Sequence, residues 1–250
     1  MDFTLKMYKQ LLSALQNAGY KFVTFEEYCD LSPKGKFVIL RHDIDRMPKK
    51  AMEIAKIDCY YKARSTFFFQ SKTFINQRLL IEQIVKCNHE IGYHYDDLVQ
   101  ANGTVKKAIN SFSSNLTHFR QFYPVRTVCM HGSPASKYDN HDLWKHYNYR
   151  DFGIIGEPYF DVDFEDVFYL TDTGRCWDGD KYSVRDKVKS SFTQSYHSTN
   201  DIIRAAQNGT LPPRIMITTH PQRWTDNPVE WLIEWVMQNL KNVVKRWVMR

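Results

Sequence analysis

Apolar residues along the chain occur in two alternating patterns, short continuous runs and longer segments with helical spacing. The continuous runs, rich in β-branched and aromatic residues, occupy positions 37–40, 65–69, 90–94, 127–130 and 214–218. Runs of this kind predict strands that are buried on both faces. The segments with helical spacing occupy positions 48–61, 80–85, 105–119 and 201–207. Strands and helices that alternate at intervals of about thirty residues predict right-handed βαβ units and a parallel sheet or barrel.

Three segments outside this alternation complete the predicted architecture. Helical spacing after Thr4 predicts a helical N-terminal extension, residues 1–35, packed on the barrel. Periodicity fails over residues 139–186, which predicts loops and short strands that cap one end. A closing helix is predicted over residues 231–244, and the residues expected to face inward are Trp231, Leu232, Trp235 and Val236. Because no repeat or linker interrupts the chain, we predict a single domain over residues 1–250.

Polar residues suited to chemistry follow the predicted strands. The segment RHDID at residues 41–45 ends the first buried strand and places Asp43 and Asp45 two residues apart, on one face. Histidines follow or end three other strands: His94, His131 and His220. The carboxyl ends of parallel strands meet at one edge, where active sites form. Two adjacent carboxylates favour a metal ligand beside a general base, or a pair that shares one proton. The other interpretation is a solvated turn in which Asp45 caps the following helix.

Composition excludes several classes of function. The net charge of +6 is scattered, and its lysine clusters do not alternate with aromatic residues, so we expect no nucleic-acid partner. The five cysteines form no Cys-x-x-Cys pair, which argues against a disulfide framework and a structural zinc site. No signal peptide and no window of apolar residues long enough for a membrane span occurs. These features predict a cytoplasmic protein without membrane insertion.

Four motifs together resemble the polysaccharide deacetylase family, carbohydrate esterase family 4 (CE4). They are RHDID at 41–45, STFFF at 65–69, HEIGYH at 89–94 and THP at 219–221. The resemblance implies an α/β fold of the irregular (β/α)7 barrel type. It also implies hydrolytic removal of acetyl groups from sugars and related amides. The family uses a divalent metal held by one Asp and two His, so we expect zinc, with cobalt or nickel as alternatives.

The resemblance also implies a role for each matching residue. Asp43 corresponds to the general base and Asp45 to the carboxylate that binds the metal. His94 corresponds to the first ligand histidine, and His220 corresponds to the general acid. The mechanism implied is metal-assisted hydrolysis, in which the base takes a proton from water and the acid protonates the leaving group.

One departure from the family concerns the second ligand histidine, whose position is occupied here by Leu98. Leucine cannot bind a metal, so another residue must replace the histidine or the metal is weak or absent. Asp96 and Asp97 are close in sequence, and His131 is close in predicted space. His131 takes the place of a family arginine that orients the base. We therefore predict His131 as a metal ligand, with a role as partner of the base as the alternative.

A second departure concerns the Asp and Trp residues that line the substrate site in the family. The acidic and aromatic segment 172–178 resembles them in residue type but not in spacing. We predict substrate-binding roles for Asp172, Arg175 and Trp177. Trp177 is expected to stack on a sugar ring, with ordinary packing as its alternative. Arg175 or Asp172 is expected to tune the acid and base groups.

The predicted function is removal of an acyl group from a sugar or glycan precursor by a metal-dependent hydrolase. One alternative is a metal-independent amidohydrolase of a small ureido or amide compound, which the leucine at position 98 favours. The other is a binding protein that has kept the barrel and lost catalysis. The sequence leaves the oligomeric state open.

Overall fold

The computed structural model describes residues 1–75, 77–178 and 188–248, with side chains to residue 243. Its centre is a sheet of seven parallel strands, β1 (Lys21–Val23), β2 (Phe37–Ile44), β3 (Thr66–Phe69), β4 (Glu90–Tyr95), β5 (Val128–Met130), β6 (Phe168–Thr171) and β7 (Arg214–Thr219). The order along the sheet is β5-β4-β3-β2-β7-β6, and β1 pairs with the first half of β2. The sheet curls into a partly open barrel with helices outside it. The predicted α/β class and parallel sheet are confirmed.

Ten α-helices are assigned in the described residues. They are α1 (Leu5–Asn17), α2 (Phe25–Leu31), α3 (Pro48–Tyr60), α4 (Ser71–Phe74), α5 (Arg78–Lys86), α6 (Asp97–Gln100), α7 (Val105–Arg120), α8 (Pro158–Asp161), α9 (Thr199–Gln207) and α10 (Pro228–Val248). The predicted cap of α1 is present, since the Thr4 hydroxyl accepts a hydrogen bond from the Met7 amide at 3.1 Å. Pro48 occupies the first turn of α3, where its missing N–H leaves no helical bond unmade.

All eight residues of β2 are buried, because the strand lies in the middle of the sheet and under helices. Successive side chains alternate between the two faces. Val38 and Leu40 join the large core between the sheet and the helices. Phe37 and Ile39 face the barrel interior, where they belong to a smaller core that includes Phe68, Cys129 and Met216. This alternation continues into the RHDID segment and directs its carboxylates inward.

The N-terminal segment contributes both to the hydrophobic core and to the sheet. Leu11, Leu12 and Leu15 of α1 belong to the main core, and Phe22 of β1 pairs with Val38 of β2. The single-domain assignment over residues 1–250 stays a prediction. The irregular region has the expected short elements, including three short 3₁₀ helices and β6, up to residue 178. The rest of the predicted irregular stretch, residues 179–186, lies outside the described residues.

The closing helix is present as predicted, and Trp231 faces inward as expected, since its indole donates a 2.7 Å hydrogen bond to the Asp2 carbonyl. The prediction was wrong for the other three residues. Leu232, Trp235 and Val236 of α10 are 54%, 47% and 42% exposed, whereas Gln238 and Asn242 are buried. Polar contacts account for this orientation, because the Asn242 amide donates a 2.8 Å hydrogen bond to the Gly174 carbonyl. Among the described residues, no helix is both long enough and apolar enough to cross a membrane.

Candidate active site

Four strand ends bring the predicted groups to one opening of the barrel. Asp45 follows β2 directly, and His94 lies on β4. His131 follows β5, and His220 follows β7. The Nε2 atoms of these three histidines lie 3.4, 3.6 and 3.8 Å from carboxylate oxygens of Asp45. The structure therefore gathers the histidines of three separate strands around one carboxylate.

Asp45, His94 and His131 form a group whose ligand atoms all lie within 4.8 Å of one another. Asp45 Oδ1 is buried without a hydrogen-bond partner among the described residues. Two ligands that bind zinc at about 2.0–2.1 Å in tetrahedral geometry lie roughly 3.4 Å apart. The distances from Asp45 Oδ1 to the two Nε2 atoms, 3.4 and 3.6 Å, match that separation. The donor set of one oxygen and two nitrogens therefore fits a zinc-like ion.

The second nitrogen of each histidine in this group is already engaged. His94 Nδ1 donates to the Cys129 carbonyl at 3.0 Å, so when the ring is neutral its lone pair is on Nε2. His131 Nδ1 hydrogen-bonds to the Ser133 hydroxyl at 2.9 Å. Contacts of this kind fix the ring orientation and the tautomer of metal-binding histidines.

Asp96 and Asp97, the other residues considered as replacements for the histidine missing at position 98, do not belong to this group. Leu98 is buried in the core. Asp97 accepts hydrogen bonds from Tyr93, Ser111 and Asn115, and Asp96 accepts one from Gln100. His131 is therefore the residue that the structure places beside Asp45 and His94.

A second possible ligand group contains Asp43, His94 and Cys129, all buried. Asp43 is less available to a cation because Arg41 occupies both of its oxygens. The two side chains form a double contact, Nε to Oδ1 at 3.2 Å and Nη2 to Oδ2 at 2.6 Å. Burial alone would raise the pKa of Asp43, but Arg41, His94 and His220 together lower it. Asp43 is thus held ionised and in a fixed orientation.

Arg41 is a site residue that the motif analysis missed, and it corrects the expectation that His131 orients the base. Its guanidinium is buried and stacks on the rings of Phe68 and Tyr159, at 5.6 and 5.5 Å. The signal was available in the sequence, since Arg41 lies two residues before Asp43 and so shares its face. Gln70 was also missed. Gln70 directly follows Phe69, which pairs with Ile44 of β2, and within the described part of the chain its side-chain amide is buried without a hydrogen-bond partner.

His220 is oriented by Asp172. Asp172 Oδ1 binds His220 Nδ1 at 2.6 Å, and Asp172 Oδ2 accepts from the His220 amide and the Trp224 indole at 2.9 and 2.8 Å. Burial would raise the pKa of Asp172, yet Arg223 and His220 lower it to about 2. The buried carboxylate of Asp172 contacts the candidate acid, which corrects the substrate-binding role expected for Asp172 and agrees with the expectation that it tunes the acid and base groups. His220 Nε2 is left facing Asp45.

The other two residues predicted to bind substrate are packed away from the opening. Trp177 is 5% exposed, donates to the Thr199 hydroxyl at 2.9 Å and stacks on Phe3. At this degree of burial the ring offers little surface on which a sugar could stack. Arg175 stacks on Trp231 at 4.4 Å and donates to the carbonyl of the same residue at 2.9 Å. Both side chains join the N-terminus and α10 to the barrel, so packing is the interpretation that the structure supports.

The electrostatics of the opening are dominated by the carboxylates. Burial would raise the pKa of Asp45, but His94, His220 and His131 lower it strongly. Burial would lower the pKa of His94, and Asp43 and Asp45 reverse this and raise it. Burial, with opposition from Asp45, lowers the pKa of His131 and favours the neutral ring that a metal requires.

Known structures provide a comparison for the whole fold. No protein-family model matches the chain, and no curated protein matches it in sequence. A CE4 esterase from Streptococcus mutans has a similar structure, with a TM-score of 0.50 at 12% identity over 90% of this chain and 88% of the esterase. The chain has the fold of a CE4 esterase. The predicted (β/α)7 barrel of the polysaccharide deacetylase type is thereby confirmed as an architecture.

Two further CE4 structures are similar at lower TM-scores. A CE4 family pseudoenzyme from Bacillus anthracis gives 0.47 at 14% identity over 84% of this chain. The peptidoglycan deacetylase PdaC from Bacillus subtilis gives 0.42 at 15% identity over 86% of this chain and 98% of PdaC. The chain spans 62% of the length of the Bacillus anthracis protein.

Proposed function

We propose that the protein is a metal-dependent hydrolase that removes an acyl group, in the first instance acetyl, from an amide on a sugar or glycan precursor. The observation that supports this is the open cluster of Asp45, His94 and His131. It lies between a candidate base, Asp43, and a candidate acid, His220. A divalent ion held by the cluster would polarise the acyl oxygen and lower the pKa of a water molecule. Zinc suits two imidazoles and one carboxylate, and cobalt or nickel accepts the same ligands.

The protein's own groups supply the proton transfers. Asp43 is the base that takes a proton from the attacking water, and Arg41 fixes its orientation. His220 donates a proton from Nε2 to the leaving nitrogen, because its other nitrogen is bound to Asp172. The arrangement parallels other catalytic histidines whose tautomer is set by a buried carboxylate.

The test is metal content and acetate release, measured on protein purified without a histidine tag. We expect about one zinc-like ion per chain by mass spectrometry. We also expect acetate release from N-acetylglucosamine oligosaccharides or a nucleotide-linked N-acetyl sugar that stops with a chelator and returns with zinc or cobalt. Asp45→Ala and His131→Ala should abolish both, while His146→Ala, at an exposed histidine, should change neither.

Other outcomes would contradict the proposal in distinguishable ways. Turnover of small ureido or amide compounds that resists a chelator would favour a metal-independent amidohydrolase. Absence of both metal and turnover after incubation with zinc, cobalt and nickel would favour a binding protein.

A further inference from the structure

Two of the five cysteines of the chain lie side by side at the ends of two helices. Cys59 belongs to the last turn of α3 and is exposed, and Cys87 caps the C-terminus of α5 and is half-buried. Both line one surface cavity of about 330 Å³. Burial, together with a hydrogen bond to the Cys59 side chain, raises the pKa of the Cys87 thiol to about 11. Two thiols in such contact are close enough to form a disulfide, whose S–S length is about 2.05 Å.

The fold holds the two helix ends together. His89, two residues after Cys87, hydrogen-bonds to the Ala55 carbonyl of α3 at 3.1 Å. Its other ring nitrogen contacts the Ser65 hydroxyl at 3.0 Å. Ala55 lies one helical turn before Cys59 and therefore on the same face of α3. The packing of α3 against α5 thus directs Cys59 toward Cys87.

The two thiols differ in exposure, and this difference sets the order in which they react. Cys59 is open to reagents in solution. Cys87 is half-buried, and its raised pKa keeps it protonated at neutral pH. The thiolate is the form of cysteine that attacks a disulfide. Cys59 is therefore the attacking thiol, and Cys87 is the thiol that completes the link.

We propose that Cys59 and Cys87 form a reversible disulfide by exchange with a low-molecular-weight disulfide, of which glutathione disulfide is the probe. In the first step the Cys59 thiolate attacks one sulfur of the reagent, the S–S bond of the reagent breaks, and one glutathione leaves as a thiolate. In the second step the Cys87 sulfur attacks the Cys59 sulfur, and the second glutathione leaves with the proton of Cys87. The protein loses two electrons and two protons overall, and glutathione disulfide is reduced to two molecules of glutathione.

The pair lies at the end of the barrel opposite to the candidate active site. α3 and α5 end just before strands β3 and β4 begin, whereas Asp45, His131 and His220 follow the ends of strands. The proposal is therefore independent of the proposed function. A link between positions 59 and 87 restricts the unfolded chain, so it should raise the melting temperature by roughly 5–10 °C. A melting temperature that does not rise would mean that the link strains the native fold, and would contradict the proposal.

The main test is thiol mapping of the full chain after incubation with glutathione disulfide. Mass spectrometry of the acid-quenched, non-reduced protein should show the loss of two hydrogen atoms, and digestion should give one pair of peptides linked through positions 59 and 87. Dithiothreitol should restore both thiols. The same incubation in urea should give no preference for this pair among the five cysteines, because the link depends on the fold. Free thiols at both positions in the folded protein, a mixed disulfide on each, or a link between two chains would overturn the proposal.

Serine variants test the order of the two steps. Cys87→Ser should accumulate a mixed disulfide of glutathione with Cys59, because no second thiol displaces the glutathione. Cys59→Ser should react at least about 10-fold more slowly, since Cys87 is half-buried and protonated. Cys176→Ser is the matched control, because Cys176 is also half-buried and its loss should leave the link between positions 59 and 87 intact. Equal rates in the Cys59→Ser and Cys87→Ser variants would contradict the proposed order of attack.

Discussion

Two clusters of aspartate and histidine lie on opposite faces of β2, and only one of them is open. The outer cluster faces the helices and centres on Asp58, which is fully buried. Its Oδ1 accepts from the Tyr8 hydroxyl at 2.6 Å, and its Oδ2 binds Ser65 and His42 at 2.7 and 2.8 Å. The second nitrogen of His42 reaches the Thr219 hydroxyl at 2.6 Å. Both carboxylate oxygens and both ring nitrogens therefore have partners.

The inner cluster faces the barrel interior and centres on Asp45, whose side chain is 24% exposed. Its Oδ1 has no hydrogen-bond partner among the described residues, and three histidine Nε2 atoms converge on the carboxylate. Each of those histidines is anchored through Nδ1.

Residue type alone therefore does not separate a structural cluster from a candidate reactive one. Buried polar groups are normally paired, and the outer cluster follows this rule. The inner cluster keeps unpaired lone pairs in a partly exposed position, which is what a cation or a substrate needs. The pairing of individual atoms therefore indicates which aspartate has a chemical role.

The largest expected effect is on the inner cluster, through Asp45→Asn. The variant keeps the size of the side chain and removes the negative charge that would hold a cation. We expect loss of bound metal and a fall in turnover of at least about 10³-fold, because several kcal/mol of transition-state stabilisation depends on the ion. Metal content and initial rates measure this. Wild-type metal content in the variant would mean that the cation, if bound, lies elsewhere.

Asp58→Ala breaks the outer cluster and should lower the stability of the protein without affecting the bound metal. Removing the carboxylate leaves Tyr8, Ser65 and His42 without their partner in a buried site. The free energy of unfolding in urea should fall by about 3–5 kcal/mol, the typical cost of breaking a buried charged network.

Metal content per folded chain should not change in Asp58→Ala. Tyr8→Phe removes a single hydrogen bond and serves as the graded control, with an expected loss of about 1 kcal/mol. Loss of metal from Asp58→Ala at full folding would show that the two clusters are not independent.

Glu90, at the other end of the barrel, is a buried carboxylate without a histidine cluster around it. It accepts from the Glu26 amide at 2.8 Å and from the Thr66 hydroxyl at 2.7 Å, and it also binds Thr127. Burial raises its pKa to about 7. Because the unfolded chain releases this proton at lower pH than the folded chain does, Glu90 makes stability fall as pH rises from 4.5 to about 7.

Glu90→Gln cannot lose a proton at this position, so the fall in stability attributable to Glu90 should disappear. The free energy of unfolding of the variant relative to wild type should rise by roughly 3 kcal/mol between acidic and neutral pH. Urea unfolding of both proteins across this range measures the difference. A difference that stays constant with pH would show that the pKa of Glu90 is the same in the folded and the unfolded chain.

Much of the fold was predictable because its main signal is local. Continuous apolar runs marked the central strands, and the two-residue period of a strand correctly placed Asp43 and Asp45 on one face. The strand-end histidines followed from the rule that parallel strands end at a common edge. These inferences needed no knowledge of which helix packs where.

The errors concern contacts between residues far apart in sequence. A helical period showed that α10 has an apolar face but not which way the face points, and bonds such as that from Asn242 to Gly174 turned it outward. Trp177 has the composition of a sugar platform, yet Phe3 and Thr199 enclose it. Arg41 is the exception, because its two-residue offset from Asp43 was visible in the sequence.

Arg41→Lys tests how far the inner cluster depends on orientation as well as on composition. Lysine keeps the positive charge but cannot reproduce the double contact of the guanidinium with Asp43. We expect turnover to fall about 10–100-fold while metal content stays at the wild-type level, the usual size of an effect on a residue that positions another. Parallel measurement of kcat, KM and metal content separates this from general damage. Unchanged kcat would mean that Asp43 keeps its orientation without the double contact from Arg41. Simultaneous loss of metal would mean that Arg41 supports the whole site.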